Sequence, residues 1–331
     1  MKAVRVSSPG GLDALQLVDL PEPKPGPGEL TLDIRSASIN HLDLWVRRGL
    51  PGLKYPMILG SDAAGVIRET NKPALLNPST SCGVCEFCAS GNKSLCLKYA
   101  VFGEHRDGTN TKYICVPAEN LIPIPYSLSF DEAAAAPLVY LTAWRMMITR
   151  GRLAPSEDVL IWSAGAGVGI ACLQLAMLTG ARVIATASTD EKCAKLRELG
   201  AHFVLNHSRE DVVRSVKELT GKRGVDLVVD YIGKDTWGRS IQVVRRGGRI
   251  VTCGATSGCD PAEDLRQIFY RQIEIIGCTM GNNKELKDAL RPIFEGRIRP
   301  VIDSVLPLSD VAAAHKRIEE RAAFGKIILK P

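Results

Sequence analysis

The sequence predicts a two-domain protein of the α/β class, with a β-rich first domain and a doubly wound, parallel six-stranded second domain. Residues 1 to 125 hold short apolar strands separated by Gly/Pro turns. From about residue 155, strands alternate with helices, which is typical of a parallel sheet covered on both faces. The chain has 331 residues, enough for two domains of ordinary size.

The elements of the first domain are predicted from residues 30 to 39 (LTLDIRSASI) and 113 to 117 (YICVP), which are strand-like. The tail, residues 282 to 331, holds a helix (NKELKDALRPIFEG), a strand near residues 301 to 305, a second helix and a last strand (GKIILKP). We expect this tail to return to the first domain. The predicted domains are therefore 1–125 completed by 282–331, and 126–281.

Composition and charge limit the possible functions. Apolar residues make up 45% and charged residues 24%, a globular composition. No apolar run approaches the roughly 18 to 20 residues of a membrane span, and the first residues (MKAVRVSSPGG) have no apolar signal core, so a cytoplasmic location without a membrane partner is expected. The net charge is +6, but Lys and Arg are scattered among acids. The strongest basic cluster, residues 245 to 249 (RRGGR), is interpreted as a solvated turn rather than a nucleic-acid site.

The second domain opens with a strand, a glycine-rich loop and a helix. Small residues in this loop (SAGAGVGIA, 163 to 171) allow the backbone to approach a pyrophosphate, and the helix N-terminus favours negative charge. At the first strand-to-helix turn of a six-strand pattern, the loop predicts dinucleotide binding rather than an empty tight turn. The expected contacts are Ala164, Gly165, Ala166, Gly167, Val168 and Gly169.

The end of the second strand indicates which dinucleotide is bound. Ala187 stands where an NAD enzyme usually carries an acid for the ribose 2′-hydroxyl. Ser188, Lys192 and Arg209 offer a hydroxyl and cations that suit a 2′-phosphate, so NADPH is predicted over NADH. Asp190 is counter-evidence, interpreted as a helix N-cap or first-turn acid. Further cofactor contacts are expected at later strand ends: Asp230, Gly254 and Ala255.

Four of the ten cysteines lie within fifteen residues, at the spacing Cys-x2-Cys-x2-Cys-x7-Cys. These are Cys82, Cys85, Cys88 and Cys96. Such a set can close a tetrahedron around one Zn²⁺ and leaves no open position for substrate, which predicts one structural zinc per chain. The alternatives are four unliganded thiols or a zinc ribbon that grips nucleic acid, although only Lys93 and Lys98 are cations in the lobe.

These features resemble the medium-chain dehydrogenase/reductase superfamily over nearly the whole chain. The resemblance also rests on the segments PGPGE, NHLDLWVRRG, LGSDAAG, GEHRDG, PLVYLTAW, VVDYIG and FGKIIL. That superfamily holds zinc alcohol dehydrogenases and zinc-free quinone reductases. The resemblance implies a GroES-like catalytic domain with a structural zinc lobe, a Rossmann cofactor domain and a small-molecule substrate. It also implies a homodimer or homotetramer joined through the sheet edge of the cofactor domain, for which the apolar strand IEIIGCTM is the candidate.

The catalytic zinc of the alcohol dehydrogenases is not carried over by this resemblance. Their first ligand, a cysteine, is replaced by Asn40, their Gly-His-Glu motif by Gly60-Ser61-Asp62, and their third ligand by Tyr140. His41 and Asp62 alone are too few for a tight metal site.

The pattern Asn-x2-Asp-x3-Arg-x-Gly, here Asn40, Asp43, Arg47 and Gly49, resembles the quinone reductases, which commonly lack the cysteine lobe. The segment RETNKPALL also replaces a longer family hairpin, so a shortened or an incomplete segment is expected between Ile67 and Asn77.

Hydride transfer without a metal needs hydrogen bonds, or a conjugated substrate, to stabilise developing negative charge. The catalytic candidates are Asn40, His41 as a proton relay, Asp43, Tyr55 and Tyr140. Structural alternatives are that Asn40 caps a turn, Asp43 caps a helix and Tyr55 packs beside Pro56. The leading hypothesis is an NADPH-dependent reductase of quinones or activated enones. The alternatives are a zinc-type alcohol dehydrogenase acting on alcohols or aldehydes, and a non-enzymatic NADPH-binding or RNA-binding protein.

Overall fold

The computed structural model describes all 331 residues, which form two compact units. The first unit comprises Met1–Val139 with Gly281–Pro331, and the second comprises Tyr140–Met280. Residues 126 to 139 thus belong to the first unit, not to the second as the sequence suggested. Within this segment, the Ala134 carbonyl accepts a buried hydrogen bond from the Ser38 hydroxyl at 2.8 Å. No helix combines the length and apolar character needed to cross a membrane.

The first unit is built mainly of strands. Its elements before the boundary are β1 (Lys2–Val6), β2 (Gln16–Asp19), β3 (Glu29–Ser38), α1 (His41–Arg48), β4 (Met57–Ile58), β5 (Asp62–Ile67), β6 (Lys72–Leu76), β7 (Ser79–Thr80), α2 (Glu86–Ala89), β8 (Ala100–Val101), β9 (Tyr113–Pro117), β10 (Leu121–Pro123) and α3 (Phe130–Ala135).

The second unit alternates helices and strands. Its elements are α4 (Pro137–Trp144), which begins in the first unit and continues as a π-helical turn, β11 (Asp158–Ile161), α5 (Gly167–Thr179), β12 (Arg182–Ala187), α6 (Asp190–Glu198), β13 (Phe203–Asn206), α7 (Val212–Leu219), β14 (Val225–Val229), α8 (Trp237–Val243), β15 (Val244–Thr252), α9 (Leu265–Arg271) and β16 (Glu274–Gly277). The chain then returns to the first unit with α10 (Asn283–Phe294), β17 (Ile302–Pro307), α11 (Val311–Glu319) and β18 (Lys326–Lys330).

The main sheet of the first unit has the order β10-β6-β5-β3-β18-β17, with β9 also paired to β3. β18 therefore pairs antiparallel with a strand from the start of the chain, with Ile328 opposite Ser38. The apolar core beneath it includes the fully buried Leu32, Phe102 and Ile327. This pairing brings the last strand beside α1, where the polar residues of the first unit gather.

The segment after Ile67 forms a short, complete hairpin, so of the two alternatives the shortened one holds. β5 and β6 pair antiparallel up to Ile67 opposite Lys72. The turn between them closes with a hydrogen bond from the Asn71 N–H to the Ile67 carbonyl at 2.7 Å, and Asn71 takes a φ of 55°. Asn tolerates this left-handed conformation, so a short turn replaces the long hairpin without breaking the sheet.

The sheet of the second unit has the order β13-β12-β11-β14-β15-β16, and every pair in it is parallel. This is the strand order of a full dinucleotide-binding fold and confirms the predicted doubly wound sheet. Residues 245 to 248 form a bulge at the start of β15, because Val244 lies opposite Val225 while Arg249 lies opposite Leu227. The basic cluster is thus a bulge within a strand, where the sequence suggested a turn between a helix and a strand.

Candidate functional site

The four-cysteine lobe brings its sulfur atoms within 4.8 Å of one another, close to the corners of a tetrahedron. The Cys82 Sγ lies 3.9 Å from that of Cys88 and 3.5 Å from that of Cys96, and the Cys85 Sγ lies 3.6 Å from that of Cys88. Zinc bonds of about 2.3 Å to sulfur separate tetrahedral ligands by roughly 3.8 Å. The lobe therefore fits one structural zinc, with no ligand position left for a substrate.

Backbone groups support this lobe. The N–H groups of Cys82 and Lys98 donate to the Cys96 sulfur at 3.4 and 3.3 Å, and such bonds orient a metal-bound sulfur. The Asn282 side chain, at the N-cap of α10, donates to the Gly91 carbonyl at 3.0 Å. The lobe is thereby attached to the segment that returns to the first unit.

Five polar side chains of the first unit lie together in a buried cluster, which we call the polar centre: Ser38, Asn40, Asp43, Asp62 and Lys326. The Asp62 Oδ2 accepts from Asn40 Nδ2 at 2.8 Å and lies 3.2 Å from Lys326 Nζ. Lys326 also donates to the Asn40 Oδ1 at 2.5 Å. The other Asp62 oxygen accepts the Leu138 N–H at 2.9 Å.

The buried Asp62 carboxylate thus forms an ion pair with the Lys326 ammonium at 3.2 Å. Burial lowers the pKa of Lys326, while the attraction of Asp62 opposes this shift. Ser61, at the histidine position of the zinc motif, donates its hydroxyl to the Phe102 carbonyl at 2.8 Å. His/Cys/Asp/Glu side chains close enough to hold a metal ion group in threes or more only at the four-cysteine lobe.

Asp43 joins the start of α1 to the loop before β5. Its carboxylate accepts the Asn40 N–H at 2.8 Å and the Gly60 N–H at 3.1 Å. Burial raises the pKa of Asp43 to about 7, although these two N–H groups favour the charged form. Asn40 is the N-cap residue of α1 and Asp43 lies in its first turn. The alternatives in which Asn40 and Asp43 cap local structure therefore hold at the start of α1. They describe Asn40 only in part, because its side chain also donates to Asp62.

His41 and Tyr55 lie outside the polar centre. His41 opens α1, packs edge-on against Trp45 at 5.1 Å between ring centroids, and makes no hydrogen bond to the polar centre. Burial, with a smaller effect of Arg48, lowers its pKa to about 4. The Tyr55 hydroxyl donates to the Val46 carbonyl, and its ring packs on a small apolar cluster. The Tyr55 hydroxyl thus contacts α1 near its end.

The Tyr140 hydroxyl is hydrogen-bonded within the second unit. It is 2% exposed, and its hydroxyl donates to the Gln174 side chain of α5. Burial raises its pKa. A buried phenol needs a hydrogen-bond partner, and Gln174 satisfies that need.

The glycine-rich loop has the geometry expected of a phosphate site. α5 begins at Gly167 after Ala166, and no side chain caps it, so its first N–H groups remain available for a pyrophosphate. A Cβ at Gly169 would lie 2.4 Å from the Tyr231 hydroxyl and 2.7 Å from the Ala164 Cα. Glycine is therefore required there for close packing of helix and loop. These residues fit the predicted dinucleotide.

Asp190, which follows the end of β12, forms an ion pair with Arg209. Asp190 is the first residue of α6, and its carboxylate pairs with Arg209 at 2.5 Å and accepts from Asn206 at 2.6 Å. Thr189 is the N-cap and accepts the Lys192 N–H at 3.3 Å. Asp190 is therefore the first-turn acid that the sequence suggested.

Asp230 at the end of β14 shapes its own loop. One carboxylate oxygen accepts the N–H groups of Ile232 and Gly233 and the Thr236 hydroxyl, and the other accepts the Ser240 hydroxyl at 2.6 Å. With all four donors internal, Asp230 acts as a positioning residue for the cofactor edge of the sheet. Gly254 and Ala255 are half-buried beyond β15.

Sequence reasoning did not identify two functional features. The first is Lys326, which lies within the segment FGKIIL. The pattern that could have indicated it is a lysine at the start of an otherwise apolar strand. The other is a buried chain in which Trp162 Nε1 donates to the Ser240 hydroxyl at 2.8 Å and Ser240 donates to Asp230. An indole directly after the strand DVLI, where a hydrogen-bond partner is needed, was its only signal.

Two known protein families match parts of this chain. Residues 26–126 match the family described as alcohol dehydrogenase GroES-like domain, and residues 167–295 match the zinc-binding dehydrogenase family. A 2-haloacrylate reductase of Burkholderia sp. is 31% identical over 99% of this chain and 98% of its own length.

Two further similar proteins have names that indicate substrates different from each other. A quinone oxidoreductase of Escherichia coli K12 is 28% identical over 97% of each chain. A solved structure described as an NAD-dependent alcohol dehydrogenase superposes with a TM-score of 0.96 at 42% identity, covering 100% of both chains.

Proposed function

We propose, on the premise that this chain belongs to the medium-chain dehydrogenase/reductase superfamily, that it reduces activated enones or quinones with NADPH and without a catalytic metal. The chain is an NAD(P)H-dependent oxidoreductase. The observation that carries the proposal is the polar centre, where Lys326 contacts both Asn40 and Asp62.

The polar centre disfavours a divalent cation at these positions. The oxygens of Asn40 and Asp62 that could bind a metal already accept hydrogen bonds from the Lys326 ammonium. Two unit charges of like sign at 4 Å repel by about 4 kcal/mol at an effective dielectric constant near 20, and a divalent ion about doubles this. Any metal there would first have to displace the lysine.

A conjugated substrate removes the need for a Lewis acid. NADPH held at the glycine-rich loop would supply the hydride that a conjugated C=C bond accepts at the carbon further from the electron-withdrawing group. The electron pair of the C=C bond then moves toward the carbonyl or quinone oxygen, and a proton from solvent completes the reduction. In this reaction the polar centre keeps α1 and β5 fixed, because rigid placement of reacting groups lowers the barrier.

The names of the 2-haloacrylate reductase and the quinone oxidoreductase support this substrate class. NADPH is supported by Ala187 at the end of β12 and by Arg209, which neutralises Asp190. One structural zinc is supported by the sulfur geometry of the lobe.

Steady-state kinetics would test the proposal. We expect NADPH-dependent reduction of 2-cyclohexenone, an acrylate ester or 1,4-naphthoquinone by protein that contains one zinc per chain. Ethanol and acetaldehyde serve as the opposing substrates. Turnover confined to the alcohol–aldehyde pair, rising with a second equivalent of zinc, would overturn the proposal.

An NAD-dependent alcohol dehydrogenase is the second candidate, favoured by the 42% identity to the solved structure with that description. The ratio of kcat/KM for NADPH and NADH separates the two. A preference for NADH together with alcohol turnover would establish the second candidate.

Assembly and location complete the proposal. β16 is an edge strand paired only with β15, and its Ile275 is 43% exposed, which supports a homodimer or homotetramer joined at this edge. None of the ten cysteines is in a disulfide, which supports a reducing, cytoplasmic location.

A further inference from the structure

The second unit contains a pocket rich in positive charge at the amino ends of β14 and β15. Its volume is about 720 Å³, within the usual range for small-molecule sites. Six cationic side chains line it, and no carboxylate does: Lys217, Lys222, Arg223, Arg245, Arg246 and Arg271. In a parallel sheet the amino and carboxyl ends of the strands lie at opposite edges. This cationic pocket is therefore distinct from the glycine-rich loop, which follows the carboxyl end of β11.

Three of the six cations are held in place. Arg223 forms two bonds to the Asp226 carboxylate, at 2.9 and 2.6 Å, and Arg245 donates to the same carboxylate at 2.5 Å. Arg271 donates to the carbonyl of Ile241 at 2.6 Å and to that of Val244. Asp226 is 2% exposed and shared by two guanidinium groups. One buried carboxylate thus fixes two arginines while leaving a surplus of positive charge.

The other three cations have no carboxylate partner. Lys217 and Lys222 make no ion pair, and Arg246 lies over the Tyr270 ring at 5.4 Å. Arg245 and Arg246, which both line the pocket, lie in the bulge of residues 245 to 248, outside the ladder with β14. Clustered like charges repel one another, and a bound anion would relieve that repulsion.

We propose that the cationic pocket binds a compact polyphosphate anion, either inorganic or as part of a nucleoside polyphosphate. Arginine forks match phosphate oxygens in pairs, and lysines add point charges, so a set of both suits several adjoining phosphates. A concave site of this size fits a small polyanion better than the extended backbone of a nucleic acid, which needs a charged stripe. The site is independent of the proposed reaction, because it does not involve the glycine-rich loop or the polar centre.

Calorimetric titration of tripolyphosphate into the full chain saturated with NADPH tests the proposal, since NADPH occupies the other phosphate site. We expect one anion per chain, with an affinity that falls as salt is raised at constant pH. The double variant Lys222→Glu/Arg246→Glu should bind at least tenfold more weakly. The matched control Lys24→Glu/Lys287→Glu, at two exposed lysines of the first unit that form no ion pair, should bind like the unchanged protein.

Parallel titrations separate the sources of the anion. Tighter binding of ATP than of tripolyphosphate would assign the pocket to nucleoside polyphosphates, and the reverse would assign it to inorganic polyphosphate. Absence of binding at millimolar tripolyphosphate, or equal losses in the variant and its control, would overturn the proposal. So would binding of a single-stranded RNA oligomer without binding of either small anion. Because the readout is heat of binding, a failed activity assay leaves the result unaffected.

Discussion

At the polar centre, the Lys326 ammonium contacts one carboxylate and one amide oxygen, both buried. Replacing it by methionine leaves Asp62 buried without a partner cation, and breaking such a pair costs about 3–5 kcal/mol. We expect Lys326→Met to lower the free energy of unfolding by this amount in urea titrations.

Lys330→Met is the matched control for this variant. Lys330 lies on the same strand and pairs with Asp131, but 42% of its side chain is exposed. Exposed pairs contribute about 0–1 kcal/mol. Equal losses in the two variants would contradict the role given to Lys326.

His315 provides a pH-dependent contribution. It is fully buried on α11, and its Nδ1 accepts from Arg47 Nη1 at 3.5 Å, so the ring is neutral. Burial and Arg47 lower its pKa to about 3, while Glu319 opposes the shift. The unfolded chain therefore binds a proton below about pH 6.5 that the folded chain excludes. The contribution of His315 to stability is complete above that pH and decreases as the pH falls toward 3.

Unfolding free energies at pH 7.5 and 5.0 measure this contribution. A single group with this shift removes about 2 kcal/mol over that interval. Between pH 7.5 and 5.0, we expect the free energy of unfolding of the His315→Leu variant to decrease by about 2 kcal/mol less than that of the unchanged chain. His202→Leu, at an exposed histidine, should keep the original difference. An unchanged difference in the His315 variant would contradict the assignment.

At the scale of elements, the cysteine lobe depends on its metal. It contains only the four-residue α2 and a 3-10 turn, too little structure to hold its shape without zinc. We expect Cys96→Ser to reduce zinc well below one per chain and to open the lobe to limited proteolysis near Gly91. Cys259→Ser, at an exposed cysteine, should retain both zinc and resistance. A full zinc content in the first variant would refute the four-sulfur site.

The same scale explains what could be predicted. The cysteine lobe and the glycine-rich loop are local in sequence, so spacing alone identified their residues. The alternation of strands and helices identified the six-stranded sheet for the same reason. The domain boundary and the bulge at residues 245 to 248 were missed, because packing of α3 on the first unit and the register of β15 depend on distant strands.

The polar centre shows the limit most clearly. Asn40 and Asp43 were identified as candidates, but the partner that completes them comes from β18, 286 residues after Asn40. For Tyr55 and Tyr140, proposed as catalytic candidates, the local sequence does not reveal the hydrogen-bond partners. Each hydroxyl donates to a protein group that only the folded chain brings near.

At the scale of the whole molecule, the exposed edge of β16 predicts self-association. We expect Ile275→Lys, which places a charge on that edge, to reduce the mass measured by light scattering to that of a single chain. Leu178→Lys, at a similarly exposed leucine on α5, is the control and should keep the original mass. A single-chain mass for the unchanged protein would refute the edge assignment.

The return of the chain to the first unit also determines how the protein is made. Asp62 leaves the ribosome 264 residues before its partner Lys326, an interval of about 13 to 53 s at ordinary translation rates of 5–20 residues per second. Throughout that time the nascent first unit lacks β18, and Asn40 and Asp62 have no ammonium beside them. The second unit, which is continuous in sequence, can fold during this interval. The main sheet of the first unit can therefore be completed only after the rest of the chain has been made.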